Sequence, residues 1–274
     1  MRNDLFRLDN KTCIVTGGAG LLGKYHAEAI LEAGGEVFLT DILEDQVKDV
    51  ADDLSEKYKT KKVTGFYMDV TNKPSVDKFI DTVFSNRSVD ILINNAAKDP
   101  KVKKDGLNYS RFENMSVECW KEGLDVSLNG TFLVTQAVIN KMLEKDQGGV
   151  ILNIASDLSV IAPDNRIYNS DEKTFSQQSV KPVFYSASKY AIVGMTKYLA
   201  AYFAEKNIRV NSISPGGAFN NHPDQFVTNI SNLIPMKRMA SVDEYKGAVI
   251  FACSKASSYM TGHNLILDGG RSIW

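Results

Sequence analysis

The amino-acid sequence predicts an α/β fold, a doubly wound parallel sheet of seven strands with helices on both faces. Short β-branched runs recur along the chain, and longer segments with apolar residues at helical spacing separate them. Because parallel strands are joined by crossovers, this alternation favours a parallel sheet over one built from hairpins. The predicted strands are residues 12–16, 36–40, 63–68, 91–94, 150–155, 209–214 and 264–267.

The segments between these strands are predicted as helices, and two connections are unusually long. Ser241 is predicted as an N-cap, with Asp243 and Glu244 in the first helical turn. The polar stretches 98–114 and 157–184 each follow the carboxyl end of a strand, where ligands bind in open parallel sheets. They are candidate substrate-binding loops, and ordinary surface loop is the alternative for each residue in them. The predicted helices are residues 22–34, 44–59, 74–86, 116–145, 185–206 and 241–254.

The composition is that of an ordinary soluble globular protein, with 43% hydrophobic and 24% charged residues. The 32 Lys and Arg residues balance 33 Asp and Glu residues, so no global field favours nucleic acid or an anionic membrane. No apolar stretch approaches the roughly 18 residues that cross a bilayer, and no apolar signal core opens the chain, so a cytoplasmic location is expected. With no internal repeat or low-complexity linker, residues 1–274 are expected to form one domain.

The cysteines and histidines are too scattered to indicate a metal or redox centre. Cys13, Cys119 and Cys253 form no Cys-x-x-Cys pair, and we interpret all three as buried thiols. No metal ion is expected in the mechanism, because the histidines also lie far apart in the sequence. These histidines are His26, His222 and His263.

A glycine-rich turn follows the first predicted strand. Gly17, Gly20 and Gly23 recur at every third position, and a helical segment begins directly after them. Glycines let the backbone approach a pyrophosphate, which the N–H groups and the positive dipole end of the helix bind. The second strand leads to Asp41, where a carboxylate accepts hydrogen bonds from the adenosine ribose and repels a 2′-phosphate. The pattern predicts a Rossmann-type site for NAD rather than NADP, although Asp41 also suits the N-cap of the next helix.

Tyr185 and Lys189 are candidate catalytic residues. They lie four residues apart in a helical segment, which places both side chains on one face. A lysine ammonium near a phenol lowers the tyrosine pKa toward the range of a general acid/base. Ser156 follows a predicted strand, and its hydroxyl would orient the substrate oxygen toward the phenol. The same spacing occurs in two pairs that we interpret as surface or packing residues, Tyr58 with Lys62 and Tyr202 with Lys206.

A series of motifs along essentially the whole chain resembles the short-chain dehydrogenase/reductase family. The resemblance implies an oxidoreductase that binds a nicotinamide dinucleotide and assembles as a homodimer or homotetramer through helices 116–145 and 185–206. The resembling motifs are residues 16–23, Asp69-Val70, Asn94-Asn95-Ala96-Ala97, Ser156, Tyr185 with Lys189, Pro215-Gly216 and Asp268-Gly269-Gly270.

The same resemblance implies roles for individual residues around the cofactor. Asp69 and Val70 would hold the adenine, and Asn95 and Ala96 would lie along the cofactor. Lys189 would bind the nicotinamide ribose. The residues that complete the implied cofactor site are Leu22, Tyr185, Pro215 and Gly216, the last two bordering the nicotinamide.

Three features depart from the family pattern. The glycine spacing resembles the extended, sugar-nucleotide-modifying branch rather than the single-domain branch. Ser127 stands where the family has its usual active-site asparagine, and as a catalytic candidate it would hold a relay water less firmly. Asn129 would point elsewhere in a regular helix. Asn220 replaces a threonine that contacts the carboxamide in many members.

The long interval from Ser156 to Tyr185 is similar to that of oxidoreductases encoded with bacterial flagellin and surface-glycan modification enzymes. This finer resemblance implies a sugar, sugar phosphate or sugar nucleotide as substrate. Loop cations at the mouth of the site would neutralise a phosphate, although exposed lysines often serve only solubility. These candidates are Lys98, Lys101, Lys103, Lys104 and Arg166.

The predicted reaction is the reversible oxidation of a secondary alcohol by NAD. Tyr185 takes the hydroxyl proton, Ser156 orients the oxygen and Lys189 tunes the tyrosine. Two alternatives stay open. The glycine spacing suggests a sugar-nucleotide epimerase or dehydratase with tightly held NAD, and Ser127 suggests a non-catalytic dinucleotide sensor.

Overall fold

The computed structural model describes residues 3–99, 110–168 and 174–274, and its strands form one seven-stranded sheet. They are β1 (Thr12–Thr16), β2 (Glu36–Asp41), β3 (Val63–Tyr67), β4 (Ile91–Asn94), β5 (Gly149–Ile154), β6 (Ile208–Pro215) and β7 (Asn264–Leu267). Their order is β3-β2-β1-β4-β5-β6-β7, and every neighbouring pair is parallel. The predicted fold class is confirmed, with each strand placed to within one residue at either end.

Helices cover both faces of the sheet, so its central strands are buried on two sides. Ile14 and Val15 follow each other in β1 but belong to different apolar clusters, as do Leu92 and Ile93 in β4. Successive side chains of a strand point to opposite faces, which explains this division. The helices are α1 (Leu21–Glu32), α2 (Glu44–Tyr58), α3 (Lys73–Asn86), α4 (Val117–Leu124), α5 (Gly130–Glu144), α6 (Val183–Phe203), α7 (Asp224–Asn232) and α8 (Lys246–Cys253).

The long helix predicted over 116–145 is interrupted, which corrects the prediction. α4 ends at Leu124, Asp125–Asn129 form a π-helical turn, and α5 begins at Gly130. A Cβ atom on Gly130 would lie 2.7 Å from the Val70 side chain, so the glycine lets α5 begin close to the segment after β3. The apolar pattern of the sequence runs on through the turn and gives no sign of the break.

The helix predicted over residues 241–254 also needs correction, and one helix was not predicted. Residues 241–254 begin as a 3₁₀ turn, Val242–Tyr245, before α8; the predicted cap at Ser241 is present, and Glu244 accepts a 2.8 Å hydrogen bond from the Ser241 amide. α7 was not predicted, because its nine residues are fewer than the stretch over which helical periodicity is recognised in a sequence. It lies at the rim of the groove described below.

Cys13 and Cys253 are buried as predicted, and burial raises the pKa of Cys253 to about 12. Cys119 is only half-buried, so its prediction as a buried thiol is wrong: α4 lies at the surface and buries only Gly123. Within the described ranges, no group of three His, Cys, Asp or Glu side chains is arranged to hold a metal ion. Nor is any helix there long and apolar enough to span a membrane.

Candidate active site

A groove of about 1060 Å³ crosses the carboxyl ends of the strands, where the strand order reverses between β1 and β4. Its volume is at the upper end of the range for ligand pockets. Most of the predicted site residues meet along its described lining: Gly17, Gly20, Leu22, Asp41, Asp69, Val70, Asn95, Ala96, Ser156, Tyr185, Lys189, Pro215 and Gly216. Gly23 and Ser127 are not part of that lining.

The glycine turn after β1 needs glycine for steric reasons. Gly17 has φ +67°, a left-handed conformation that other residues rarely adopt. A Cβ atom on Gly23 would lie 2.2 Å from the Gly17 carbonyl oxygen, so Gly23 acts by letting α1 pack tightly under the turn. Gly20 is the N-cap of α1 and has no side chain to cover the first amides of the helix. These amides suit a pyrophosphate.

Asn95 ties the glycine turn to β4. Its amide nitrogen Nδ2 donates to the carbonyl oxygens of Thr16, at 3.0 Å, and of Gly17, at 2.9 Å. The Thr16 hydroxyl accepts hydrogen bonds from the backbone amides of Asn95 and Ala96, both at 3.0 Å. The side chain of Asn95 therefore holds the glycine turn in place.

The carboxylate of Asp41 lies where a ribose would be recognised. Its two oxygens accept the backbone amides of Ala19, at 3.0 Å, and of Leu43, at 3.1 Å. Each oxygen keeps a further lone pair for a hydroxyl donor. Asp69 accepts the Thr71 amide at 2.9 Å at the same end of the groove. The open amides, the glycine cradle and these carboxylates together fit a nicotinamide dinucleotide.

Lys189 is buried beneath the other end of the groove, with 3% of its surface exposed. Its ammonium donates a 2.8 Å hydrogen bond to the Ile154 carbonyl oxygen and lies 5.7 Å from the centre of the Tyr185 ring. Burial lowers the pKa of Lys189 to about 8, and Asp99 partly opposes this. Tyr185 and Lys189 thus share one face of α6, as predicted.

The expected lowering of the Tyr185 pKa is not what the structure gives. Burial raises the pKa of the phenol above its usual value, Asp99 raises it further, and a hydrogen bond with Ser156 opposes both. Lys181 adds a second ammonium, 4.0 Å from the centre of the Tyr185 ring, and forms an ion pair with Asp99. The phenol is therefore held protonated at neutral pH, which is the form that donates a proton.

Ser156 has a partner that the sequence did not indicate. Its hydroxyl donates to Asp157 at 2.9 Å and accepts the Leu158 amide at 3.2 Å. The other oxygen of Asp157 accepts a 2.7 Å hydrogen bond from Arg271, which follows β7. Asp157 and Arg271 stand 114 positions apart, so no local pattern could connect them.

Ser127 lies in the π-helical turn, fully buried, and its hydroxyl accepts the Lys98 backbone amide at 3.1 Å. Asn129 is exposed and bonds to Asp125, so it points away as expected. The tyrosines set aside on the sequence also lie off the groove. Tyr58 donates to Glu32 at 2.7 Å, and Tyr202 is 67% exposed on α6.

Neither Lys98 nor Arg166, the two candidate loop cations that the structure describes, contributes to the predicted phosphate site. Lys98 pairs with Glu122 at 2.7 Å and Arg166 with Asp164 at 2.6 Å, and neither cation lines the groove. Each cation is therefore paired with a carboxylate; Glu122 is distant from Lys98 in the sequence, whereas Asp164 is a near neighbour of Arg166. The other three candidates, Lys101, Lys103 and Lys104, lie outside the described residues. Of the two predicted substrate loops, the described groove-lining residues are Asp99, Asp157, Leu158, Pro163, Ile167, Tyr168, Ser179 and Lys181.

The sheet and its groove define an oxidoreductase that acts on CH–OH groups with a nicotinamide dinucleotide. A family model described as enoyl-(acyl carrier protein) reductase matches residues 19–272. The chain belongs to the short-chain dehydrogenase/reductase family, as the sequence motifs predicted.

Two curated relatives illustrate the range of the family. An NAD-dependent glycerol dehydrogenase of Listeria innocua is 34% identical over 274 residues, covering 98% of this chain and 96% of the relative. The post-translational flagellin modification protein A of Campylobacter coli is 30% identical over 264 residues, covering 96% of this chain and 98% of the relative. The resemblance to flagellin-modification proteins is thereby confirmed.

Solved structures share the fold and differ in cofactor. A short-chain dehydrogenase of Leptospira borgpetersenii with bound NAD⁺ has a TM-score of 0.84 and 33% identity, covering 99% of this chain and 96% of that one. A gluconate 5-dehydrogenase of Burkholderia cenocepacia in complex with NADP and tartrate has a TM-score of 0.84 and 26% identity, covering 99% and 98%.

Proposed function

We propose that this chain is an NAD-dependent dehydrogenase that interconverts a secondary alcohol and a ketone on a neutral polyhydroxy compound such as a sugar or sugar-derived polyol. The observation that carries the proposal is the convergence of Ser156, Tyr185 and Lys189 on one groove with the glycine turn. NAD is favoured over NADP because the Asp41 carboxylate would repel a 2′-phosphate.

In the oxidising direction, the substrate hydroxyl gives its proton to the phenolate oxygen of Tyr185. Ser156 holds the same oxygen and fixes its distance from the phenol. A nicotinamide bound in the groove would accept the hydride from the substrate carbon, or donate it in the reverse direction. Lys189 is anchored at Ile154 and favours the phenolate by its charge. In the reducing direction the protonated Tyr185 donates, which agrees with its raised pKa.

The charge balance of the substrate end supports a neutral substrate. Lys181 is paired with Asp99, and Arg271 with Asp157. Among the described residues, only Lys189 remains in the groove as a cation without an ion-pair partner, and it lies beside the phenol. Asn220 and Asn229 add amide groups to the same lining. Such a surface suits hydroxyl groups better than a phosphate, and the glycerol dehydrogenase relative is consistent with it.

Self-association through α5 and α6 is part of the proposal. Five large apolar or aromatic side chains are exposed on these two helices, and exposed apolar patches often mark protein–protein interfaces. The exposed residues are Phe132, Leu143, Tyr190, Tyr198 and Tyr202. A molar mass of two or four times that of one chain, measured by light scattering, would support the assembly. A monomer at micromolar concentration would contradict it.

The function is tested by following NADH formation with glycerol, tetritols, free sugars and sugar phosphates. We expect turnover of neutral polyols by the unaltered enzyme and a loss of about 10²-fold or more in Tyr185→Phe. Tyr58→Phe is the matched control, because Tyr58 also precedes a lysine by four residues but lies off the groove and outside α5 and α6. Undiminished turnover in Tyr185→Phe would refute the assigned role. A sugar altered without net NADH would indicate an epimerase instead.

A further inference from the structure

The Asp157–Arg271 ion pair is buried in the wall of the groove. Only 5% of the Asp157 side chain and 7% of the Arg271 side chain are exposed, and their closest atoms are 2.7 Å apart. Burying two charges removes their hydration, and an apolar pair of similar volume is often at least as stable. The stability of the fold therefore does not explain why a charged pair is buried at this position.

The position of the pair connects it with the reaction. Both residues line the groove, and Asp157 accepts the 2.9 Å hydrogen bond of the Ser156 hydroxyl. Asp157 therefore lies one hydrogen-bond length from the Ser156 hydroxyl, the group that holds the reacting oxygen. The two oxygens of a vicinal diol are separated by a similar distance, so the second oxygen can lie beside Asp157 when the first lies beside Ser156.

Arg271 has hydrogen-bonding capacity left over. A guanidinium has five N–H donors, and within the described residues the bond from Nη1 to Asp157 is the one that the Arg271 side chain makes. None of its nitrogens is among the buried side-chain atoms that lack a partner. Part of the guanidinium therefore remains accessible, and the groove is the open space that Arg271 lines.

We propose that Asp157 and Arg271 form a substrate subsite for a hydroxyl group on the carbon next to the one that is oxidised. A hydroxyl both donates and accepts, so it can give its proton to Asp157 and accept one from Arg271. A carboxylate or phosphate only accepts, and Asp157 repels it. This inference rests on the proposed dehydrogenase function and defines its substrate class as a vicinal diol.

Matched alcohols test the subsite in the unaltered enzyme. With NAD, kcat/KM is measured for butane-2,3-diol and butan-2-ol, and for glycerol and propan-2-ol, which differ in the neighbouring hydroxyls. We expect each diol or triol to exceed its mono-alcohol at least tenfold, about 1.4 kcal/mol. Equal values would overturn the subsite and leave the dehydrogenase assignment standing. No NADH from any alcohol would overturn both.

Substitution shows whether Arg271 is responsible for the preference. In Arg271→Met we expect the diol to mono-alcohol ratio to fall about tenfold, and in Arg271→Lys to fall less, because the charge remains. Arg238→Met is the control: Arg238 also pairs with a carboxylate, Glu244, but lies off the groove. An unchanged ratio in Arg271→Met would overturn the proposal.

A folding defect is separated from a substrate effect by two measurements, the Tm and the fluorescence of bound NADH. If Arg271→Met does not fold, Asp157→Leu/Arg271→Met removes both charges together and avoids an unpaired buried carboxylate. A diol preference that persists in this folded double variant would refute the subsite.

Discussion

The ammonium of Lys189 is hydrogen-bonded to the carbonyl oxygen of Ile154, the last residue of β5, two positions before Ser156. This bond fixes α6 against the strand that ends at the active site. The bond thereby ties Lys189 to the strand that leads into Ser156.

The first prediction concerns stability and pH. Burial lowers the pKa of Lys189 from 10.5 to about 8, so between these values the unfolded chain binds a proton that the folded chain lacks. Its contribution to stability rises with pH across this window, and below it the buried ammonium destabilises the fold. We expect the Tm of Lys189→Met, relative to the unaltered enzyme, to be highest near pH 7 and to fall as the pH approaches 10.

Lys197→Met is the control for this effect, because Lys197 lies on α6 but is exposed. Its Tm difference should show no comparable trend. A flat difference for Lys189→Met over the same range would show that Lys189 is not desolvated. Loss of the Ile154 bond shifts all points alike, so the slope is the informative quantity.

The second prediction concerns the pH dependence of catalysis. Burial and Asp99 raise the pKa of Tyr185, so oxidation, which needs the phenolate, should increase into the alkaline range. Asp99→Asn removes one cause, and the alkaline rise in kcat/KM should move to lower pH. Asp77→Asn, which breaks a surface pair on α3, should leave the profile in place. A shift to higher pH in Asp99→Asn would contradict the assignment.

The third prediction concerns the cofactor. Asp41→Ser removes the charge that opposes a 2′-phosphate, and the ratio of kcat/KM for NAD over NADP should fall by about tenfold or more. Asp45→Ser is the control, since Asp45 lies in the first turn of α2 and off the groove. If the ratio is unaffected by Asp41→Ser, recognition of the ribose lies elsewhere.

Local patterns revealed the parts of the site that lie close together in sequence. The glycine turn and Asp41 follow two early strands, and Tyr185 and Lys189 share one helical turn, so periodicity and spacing sufficed. Arg271 and Lys181 escaped notice because their partners, Asp157 and Asp99, are brought to them only by the fold. The same limitation explains the misplaced expectation for Lys98, whose partner Glu122 is 24 positions away, but not for Arg166, whose partner Asp164 is two positions away.

Asn95 adds two side-chain hydrogen bonds at the carboxyl ends of β1 and β4, which are already paired through their backbones. The strand order reverses at this point, and the side-chain amide joins the end of β4 to the turn after β1. The glycine turn is thereby held in place from the neighbouring strand, which favours a cofactor site that is formed before the dinucleotide binds.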